Sequence, residues 1–241
     1  MKESKKDRKG VSMVSGAEGR YSRNIPAVSR EDMEKLRQSR ALVAGCGGLG
    51  GFIIEYLARM GIGAITAIDG DVFCESNLNR QLLSRTDNLG VNKAIAAGER
   101  VRAVNPDVSV RVVPEFLTKE NAAGLMTDAD IVMDALDNVS ARYILEDAAA
   151  QAGLSIIHGA ICGWDLQIML AEPGAGRIHQ LYPEGASPSS KSSLPFTPAA
   201  CAALQVSMAV RVLCGRASDR DRGLFIGSLR DLSFETIQFG D

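Results

Sequence analysis

Residues 41–69 constrain the fold of this chain more than any other stretch. The apolar run 41–44 leads into the glycine-rich segment GCGGLG at 45–50, and apolar residues then recur at helical spacing. A second apolar run, 64–68, ends at Asp69. This order predicts a strand, a glycine turn, a helix and a second strand.

Three glycines of the predicted turn have separate steric roles. Gly45 permits the tight turn, Gly47 lets a phosphate approach the backbone, and Gly50 lets the helix lie close to the strand. Free amides at the start of the helix favour an anion, and Asp69 is placed to accept hydrogen bonds from ribose hydroxyls. Tight turns need glycine with or without a ligand, but together with the strand, the helix and Asp69 the turn predicts nucleotide binding.

The segment after Asp69 differs from an ordinary dinucleotide site. It is polar and contains Asp71, Asn77, Asn79, Arg80, Gln81, Arg85 and, on the next predicted helix, Lys93. The planar fork of Arg80 and the compact charge of Lys93 suit phosphate oxygens and can neutralise the charge that grows as pyrophosphate leaves. The segment therefore favours triphosphate chemistry over hydride transfer by a nicotinamide-dependent oxidoreductase.

The composition is typical of a soluble globular protein. Of 241 residues, 46% are hydrophobic and 23% charged, with a formal net charge of -2. The near-neutral balance gives no electrostatic case for DNA or other nucleic acid. No apolar stretch approaches the roughly 20 residues of a membrane span, and the N-terminus lacks the apolar segment of a signal peptide, so we expect a cytoplasmic protein with no membrane partner.

The pattern of elements predicts a doubly wound α/β fold. Residues 1–19 are expected to form a disordered tail, and residues 20–241 a single domain. Predicted strands and helices alternate as far as residue 157, which implies a mainly parallel sheet with a Rossmann-like nucleotide site at the carboxyl ends of its strands.

The C-terminal part has a different pattern. Antiparallel strands are expected at 164–171 and 177–182, and again at 224–229 and 234–239, so that they extend the sheet. The loop 182–196 is too long for a simple connector and predicts a mobile lid.

Asp137 follows the predicted strand 131–133, at the ligand edge of the sheet. A carboxylate there can hold a magnesium ion or orient a phosphate-bound water. It can equally cap the next helix, since aspartate is a preferred N-cap residue. The local sequence leaves both interpretations open.

Taken together, the motifs resemble the MoeB/ThiF/HesA family, the bacterial relatives of ubiquitin-activating enzymes. The resemblance covers residues 20–240 in order, and the matching segments are RYSRNI at 20–25, GCGGLG at 45–50, DGDVFCESNLNRQ at 69–81, GVNKA at 90–94, DALDN at 134–138 and CAALQVSMAVRVLCG at 201–215. It implies ATP- and Mg²⁺-dependent adenylylation of the C-terminal glycine carboxylate of a small ubiquitin-like sulfur-carrier protein that ends in Gly-Gly. It also implies a homodimer.

The resemblance implies a role for each matching residue. The nucleotide-binding set is Gly45, Gly47, Gly50, Asp69, Asp71, Asn77, Arg80 and Lys93. The catalytic set is Arg23, Arg80, Lys93 and Asp137. Asp137 would hold the magnesium, and Arg23 matches an arginine that the family inserts into the neighbouring subunit's site.

The sequence departs from the zinc-binding members of this family, which carry two CxxC pairs. The corresponding stretches, 172–185 and 230–241, contain no cysteine, so no structural zinc is predicted. The expected lid has no cysteine either. Cys201 is the nearest, and a helix N-terminus would favour its thiolate, but a small buried apolar role is favoured for it and more strongly for the other four cysteines.

Two further functions stay open from the sequence. One is ATP-dependent activation of a base in transfer RNA, which the NRQ segment at 79–81 would also suit. The other is a module that binds a nucleotide or a carrier without turnover. The near-neutral charge favours a protein substrate, and the sequence does not specify which carrier or pathway is involved.

Overall fold

In the computed structural model the described residues are 17–183 and 192–239, and they contain one eight-stranded sheet. Its strands are β1 (Arg40–Ala44), β2 (Ala64–Ile68), β3 (Ser109–Val113), β4 (Ile131–Asp134), β5 (Ile156–Cys162), β6 (Asp165–Ala171), β7 (Leu224–Ser228) and β8 (Ser233–Ile237). The helices are α1 (Ala17–Arg20), α2 (Arg30–Gln38), α3 (Gly48–Met60), α4 (Lys93–Val104), α5 (Lys119–Met126), α6 (Val139–Ala152), α7 (Arg177–Leu181) and α8 (Phe196–Leu213).

The strand order is β3-β2-β1-β4-β5-β6-β7-β8. The first five strands in this order are parallel, and β6, β7 and β8 continue the sheet antiparallel. This confirms the predicted doubly wound, mainly parallel fold with an antiparallel extension. Strands β1 to β3 are added toward one edge of the sheet and β4 onward toward the other, so the order of addition switches between β1 and β4. Ala44 lies opposite both Ile68 and Asp134. The carboxyl ends of β1, β2 and β4 therefore meet at one edge, at the switch point of the sheet.

The central strands are apolar because helices cover both faces of the sheet. On one face, Ile53 and Leu57 of α3 and Val206 of α8 belong to the larger buried cluster. On the other face, Leu125 of α5 and Leu145 of α6 belong to the second cluster. The two layers hold the carboxyl edge of the sheet rigidly, which is the condition for a precise site.

One predicted strand is wrong. Residues 177–182 contain the helix α7, and β6 pairs instead with β5, which continues to Cys162. Gly176 turns the chain into α7 with a φ of +60°. The carboxylate of Glu146 then accepts hydrogen bonds from the backbone N–H groups of Ile178 and His179, at 2.8 and 2.9 Å. Because this cap comes from α6, 32 residues earlier, the local pattern could not indicate it.

The helix α8 is, within the described ranges, the one helix long and apolar enough to span a membrane. It packs against α3, β5 and β6, as a core helix does.

Two predicted segments fall partly outside the described residues. The predicted tail is described only from residue 17, where α1 begins. The predicted lid is described at its two ends, as far as Pro183 and again from Ser192, and residues 184–191 lie outside the described part.

Candidate nucleotide site

The glycine turn lies between β1 and α3, and two of its glycines leave no room for a side chain. Gly45 has a φ of +94°, and a Cβ there would lie 2.6 Å from the carbonyl oxygen of Ala135. A Cβ on Gly50 would lie 1.8 Å from the carbonyl oxygen of Gly45. The steric roles predicted for Gly45 and Gly50 are confirmed, since the turn and the close approach of α3 both require glycine.

Gly47 is the N-cap residue of α3, and no side chain caps this helix. The helices α2, α4, α5 and α6 each have a capping side chain. A Cβ on Gly47 would make only ordinary contacts, with the side chain of Gln81 at 3.5 Å or more. Steric room alone therefore does not require glycine at 47, although its backbone angles, φ -83° and ψ -133°, lie outside the regions that residues with a Cβ usually adopt. An anion approaching the uncapped amides of α3 would also favour glycine there.

Asp69 follows β2 and joins the glycine turn to the polar segment. Its Oδ2 accepts a hydrogen bond from the N–H of Cys46, and its Oδ1 from the N–H of Asp71, both at 2.8 Å. Burial raises the pKa of this carboxyl above its ordinary value. A carboxylate oxygen has two lone pairs, so each oxygen of Asp69 can still accept a ribose hydroxyl.

Lys93 is the first residue of α4, and only 7% of it is exposed. Its Nζ pairs with Asp71 Oδ2 at 3.0 Å, and its backbone N–H donates to the carbonyl of Asp71 at 2.9 Å. A positive charge at a helix N-terminus opposes the helix dipole. The position of Lys93 is therefore not explained by helix stability, and it indicates a charge kept for an anionic ligand.

Asn77 and Arg80 shape the segment between β2 and α4. Asn77 is buried, and its Oδ1 accepts a hydrogen bond from the N–H of Cys74 at 3.0 Å. Arg80 donates to the carbonyl of Ser76 at 2.8 Å and to Asn79 Oδ1 at 2.9 Å. Within the described ranges Arg80 has no carboxylate partner, so its charge is available to phosphate.

Gln81 is the residue of this segment that sequence reasoning left without a role. Only 7% of it is exposed, and its Oε1 is buried with no hydrogen-bond partner among the described residues. The sequence feature that could have indicated a role for Gln81 is the motif NRQ, which places it directly after Arg80.

Asp137 is exposed just beyond β4, and it is not the N-cap of α6. That position belongs to Asn138, whose Oδ1 accepts from the N–H of Ala141 at 2.8 Å. Across the described ranges, no three His, Cys, Asp or Glu side chains form a metal-binding group. A single exposed carboxylate fits magnesium, which is usually held by one or two carboxylates together with substrate phosphates and water.

Beside Asp137 lies a largely buried polar group that the sequence did not indicate as a cluster. We call it the closed cluster, and its members are Asp134, Arg142, His158 and Tyr182. His158 Nδ1 donates to Asp134 Oδ2 at 2.7 Å, and the hydroxyl of Tyr182 donates to His158 Nε2 at 3.1 Å. Arg142 Nε lies 3.3 Å from Asp134 Oδ2.

The closed cluster perturbs the pKa of its own members. Burial alone would raise the pKa of Asp134, but Arg142 and His158 lower it below the ordinary value. Burial lowers the pKa of His158, which stays neutral and accepts from Tyr182. Because Asp134 Oδ1 also accepts from the N–H of Leu136 at 2.9 Å, the cluster holds the turn that leads to Asp137.

Arg23 lies far from the other predicted site residues of its own chain. Its neighbour Asn24 donates to the sulfur of Met60, the last residue of α3, whereas the glycine turn is at the start of that helix. A 13-residue helix is about 20 Å long. Arg23 is exposed, and within the described ranges it has no ion pair.

The cysteines differ in burial, and the two stretches that carry CxxC pairs in zinc-binding relatives lie close together. Cys201 is buried and burial raises the pKa of its thiol, which confirms the predicted apolar role. The same prediction for Cys74 is wrong, because this thiol is exposed and a hydrogen bond with Ser76 lowers its pKa. The described parts of the stretches 172–185 and 230–241 touch where the guanidinium of Arg177 lies 4.5 Å from the ring centre of Phe239.

This is the architecture of a doubly wound α/β protein whose glycine turn lies at the switch point, the class in which nucleotides bind at the carboxyl ends of the strands. The sequence model of the ThiF family matches residues 21–239, and the chain belongs to that family.

Two relatives and one solved structure are among the most similar proteins. The SAMP-activating enzyme E1 of Haloferax volcanii is 34% identical, over 91% of this chain and 84% of its own length. The sulfur carrier protein adenylyltransferase of Thermus thermophilus is 35% identical, over 90% of this chain and 86% of its own length. The crystal structure of PaaA superposes with a TM-score of 0.79 at 24% identity, over 97% of this chain and 77% of PaaA, and it supports the fold alone.

Proposed function

We propose that this chain is an adenylyltransferase that uses ATP to activate the C-terminal glycine carboxylate of a small ubiquitin-like sulfur-carrier protein. The observation that carries the proposal is Lys93, a buried cation at a helix N-terminus beside the uncapped start of α3. The two relatives named above, an activating enzyme and a sulfur carrier adenylyltransferase, support the substrate class.

The nucleotide lies along the carboxyl ends of β1 and β2. Asp69 accepts hydrogen bonds from the ribose hydroxyls, and Gly45, Gly47 and Gly50 let the phosphates approach the start of α3. Asn77, Arg80 and Lys93 contact the phosphate oxygens, with Asp71 holding Lys93 in place. Supporting this arrangement, Asp71 is the only carboxylate paired with Lys93 in the described part of the chain.

The reaction is a displacement at the α-phosphorus of ATP. A C-terminal carboxylate is ionised at neutral pH, so it attacks without a general base, pyrophosphate leaves, and a mixed anhydride remains. The protein contributes position and charge, through Arg23, Arg80 and Lys93. Asp137 would hold the magnesium ion, which would supply further positive charge at the phosphates.

A homodimer is part of the proposal because Arg23 belongs to the partner's site. Arg23 lies about one helix length from the glycine turn of its own chain, which supports a role in the site of a second subunit. Next to it is an open groove of about 460 Å³ between the N-terminal segment, α3 and α8. The groove is lined by Asn24, Val28, Tyr56, Arg59, Met60, Ala203, Val206, Ser207, Val210 and Arg211.

The remaining parts of the proposal concern the segments outside this site. Residues 182–196 form a lid over the carrier tail that keeps water from the reactive anhydride. Residues 1–19 are a tail to a single domain, 20–241, which needs no structural zinc and works in the cytoplasm. A bond from Asn79 Nδ2 to the carbonyl of Ser193, at 3.1 Å, ties the site to the end of this lid and supports its position.

The test is ATP–pyrophosphate exchange with purified protein, magnesium and candidate carriers that end in Gly-Gly. We expect exchange that requires an intact Gly-Gly terminus and that falls about 10²- to 10³-fold in Arg80→Ala. Arg85→Ala is the matched control, since Arg85 is in the same segment but pairs with the exposed Asp87. Tight ATP binding without exchange on any carrier would instead support the transfer RNA substrate or the module without turnover.

A mixing experiment tests the contribution of Arg23 to the partner's site. Arg23→Ala and Arg80→Ala should each be inactive alone, but a mixed dimer contains one site with both arginines. Half of randomly formed dimers are mixed, and each mixed dimer has one intact site out of two. About a quarter of wild-type activity should therefore return. Activity that stays absent after mixing, with dimers present by light scattering, would place Arg23 outside the partner's site.

A further inference from the structure

Gln81 is the exception among the amide side chains around the candidate site. Asn77, Asn79, Asn88 and Asn92 each have a hydrogen-bond partner on the protein. Gln81 is as buried as Asn77, yet its Oε1 has no partner among the described residues. A buried acceptor without a partner lowers stability, and a ligand that brings a hydrogen-bond donor to it would remove this cost.

The amide of Gln81 lies against the glycine turn. Its Nε2, Cδ and Oε1 lie 3.5, 3.7 and 3.8 Å from the point where a Cβ of Gly47 would be. Gly47 is the uncapped start of α3, a helix of 13 residues. The unpaired oxygen therefore lies beside the position proposed for the reacting phosphate.

The ligand must supply a hydrogen-bond donor at this point. The phosphates of ATP carry only acceptors at neutral pH. In the proposed arrangement the ribose hydroxyls lie at Asp69, and the adenine amine lies beyond the ribose, on the side away from the phosphates. The other reactant brings one donor next to its reacting carboxylate, the peptide N–H of its last residue. That N–H is the donor of the acyl substrate that comes nearest to the reacting atoms, and hence to a group beside the glycine turn.

We propose that Gln81 Oε1 accepts a hydrogen bond from the peptide N–H of the substrate's C-terminal glycine. This inference rests on the proposed function and names the feature of the acyl substrate that the site reads. Gln81 is then a specificity residue: it holds the carboxylate in line with the α-phosphorus and favours carboxylates at the end of a peptide bond. An acyl group without that N–H would leave the buried oxygen unpaired, which is how a polar site rejects an analogue.

The test replaces the last peptide bond of a carrier by an ester, which exchanges the N–H for an oxygen and keeps the rest of the tail. Semisynthetic carriers with the amide and with the ester are compared in pyrophosphate exchange. For the wild-type enzyme we expect kcat/KM to fall about tenfold with the ester. For Gln81→Met, which keeps the volume of the side chain, we expect little further loss with the ester. ATP affinity should change little in the variant.

The controls separate this inference from the proposed function. Gln38→Met, on the exposed side of α2, should show the same ester effect as the wild type. No exchange by the wild type with the amide carrier would overturn the proposed function. Exchange with the amide carrier but an equal ester effect in the wild type and in Gln81→Met would overturn the role of Gln81 alone.

The comparison does not depend on the stability of the variant. An ester carrier that works as well as the amide carrier with the wild-type enzyme would by itself overturn the hydrogen bond to the N–H.

Discussion

Two groups of charged and polar residues lie at the same edge of the sheet, and they differ in how completely they are paired. The closed cluster, at the ends of β4 and β5, pairs its charges internally, since Asp134 has both Arg142 and His158, although Arg142 Nε makes no hydrogen bond among the described residues. The second group, which we call the open cluster, follows β2 and consists of Asp69, Asp71, Arg80, Gln81 and Lys93. Its arginine has no carboxylate partner in the described part of the chain, and its glutamine has an unpaired oxygen.

The difference distinguishes polar groups that stabilise the fold from polar groups that are left to bind a ligand. A buried charge that is fully paired stabilises one arrangement of the backbone and has little left for a substrate. A buried or half-buried group with a spare charge or lone pair reduces stability in the free protein and gains its partner on binding. We therefore expect mutations in the closed cluster to change folding first, and mutations in the open cluster to change activity first.

The largest effect should come from removing one partner in the closed cluster. Arg142→Met leaves the buried Asp134 without its guanidinium, and we expect the free energy of unfolding to fall by about 3–5 kcal/mol. Urea denaturation followed by circular dichroism measures this. Arg85→Met is the control, since an exposed pair contributes only about 0–1 kcal/mol. Equal losses in the two variants would contradict the distinction between the clusters.

Lys93→Met should show the opposite behaviour. We expect pyrophosphate exchange to fall about 10²- to 10³-fold, because one cation near the phosphates is removed. Stability should change little, since the partner Asp71 is 58% exposed and returns to water. A large drop in melting temperature with normal kcat in the surviving fraction would assign Lys93 to the structure instead.

Gly47→Ala tests the phosphate position beside the open cluster without changing a charge. The side chain would have room in the free protein, but the backbone angles of Gly47 favour glycine, so we expect a modest fall in melting temperature and an ATP affinity of the folded protein reduced about tenfold, as for the loss of one hydrogen bond. Gly48→Ala is the matched control, because its Cβ would only touch Pro198 at 3.8 Å. Calorimetric titration with ATP measures both, and unchanged affinity in Gly47→Ala would place the phosphates elsewhere.

The smallest effect is a pH dependence of stability that belongs to the closed cluster. Burial lowers the pKa of His158 below its ordinary 6.5. Below pH 6.5 the unfolded chain therefore takes up a proton that the folded protein does not, so stability falls as the pH falls. The slope should approach, at most, about 1.4 kcal/mol per pH unit. Denaturation between pH 7.5 and about 5.5 measures it, and His158→Asn should flatten the slope in this window.

The sequence predicts the parallel core and the glycine turn because each depends on local signals. Strand and helix periods alternate, and glycine at 50 is required by a backbone contact with Gly45, only a few residues away, while Gly45 itself has a φ of +94°. The open cluster could also be predicted from the sequence, since most of its members lie in one continuous segment.

The structure departs from the prediction where distant residues decide. The helix α7 depends on Glu146, which caps it from another helix. The closed cluster depends on β4 lying beside β5, which places His158 opposite Asp134 across 24 residues of sequence. The exposure of Cys74 depends on the path of the polar segment, which has no periodic pattern. These contacts are tertiary, and a single sequence contains no period that reports them.

The glycine turn determines which substitutions this protein can tolerate at positions 45, 47 and 50. A library with every amino acid at positions 45, 47 and 50, sorted first for abundance and then for catalysis, would divide the motif in two. Positions 45 and 50 would be depleted at the first sorting, because a side chain there collides with the backbone. At position 47 a small side chain such as that of alanine has room beside Gln81, so it would be depleted less at the first sorting and more at the second. The same short motif would thus show two separate constraints, one from folding and one from nucleotide binding.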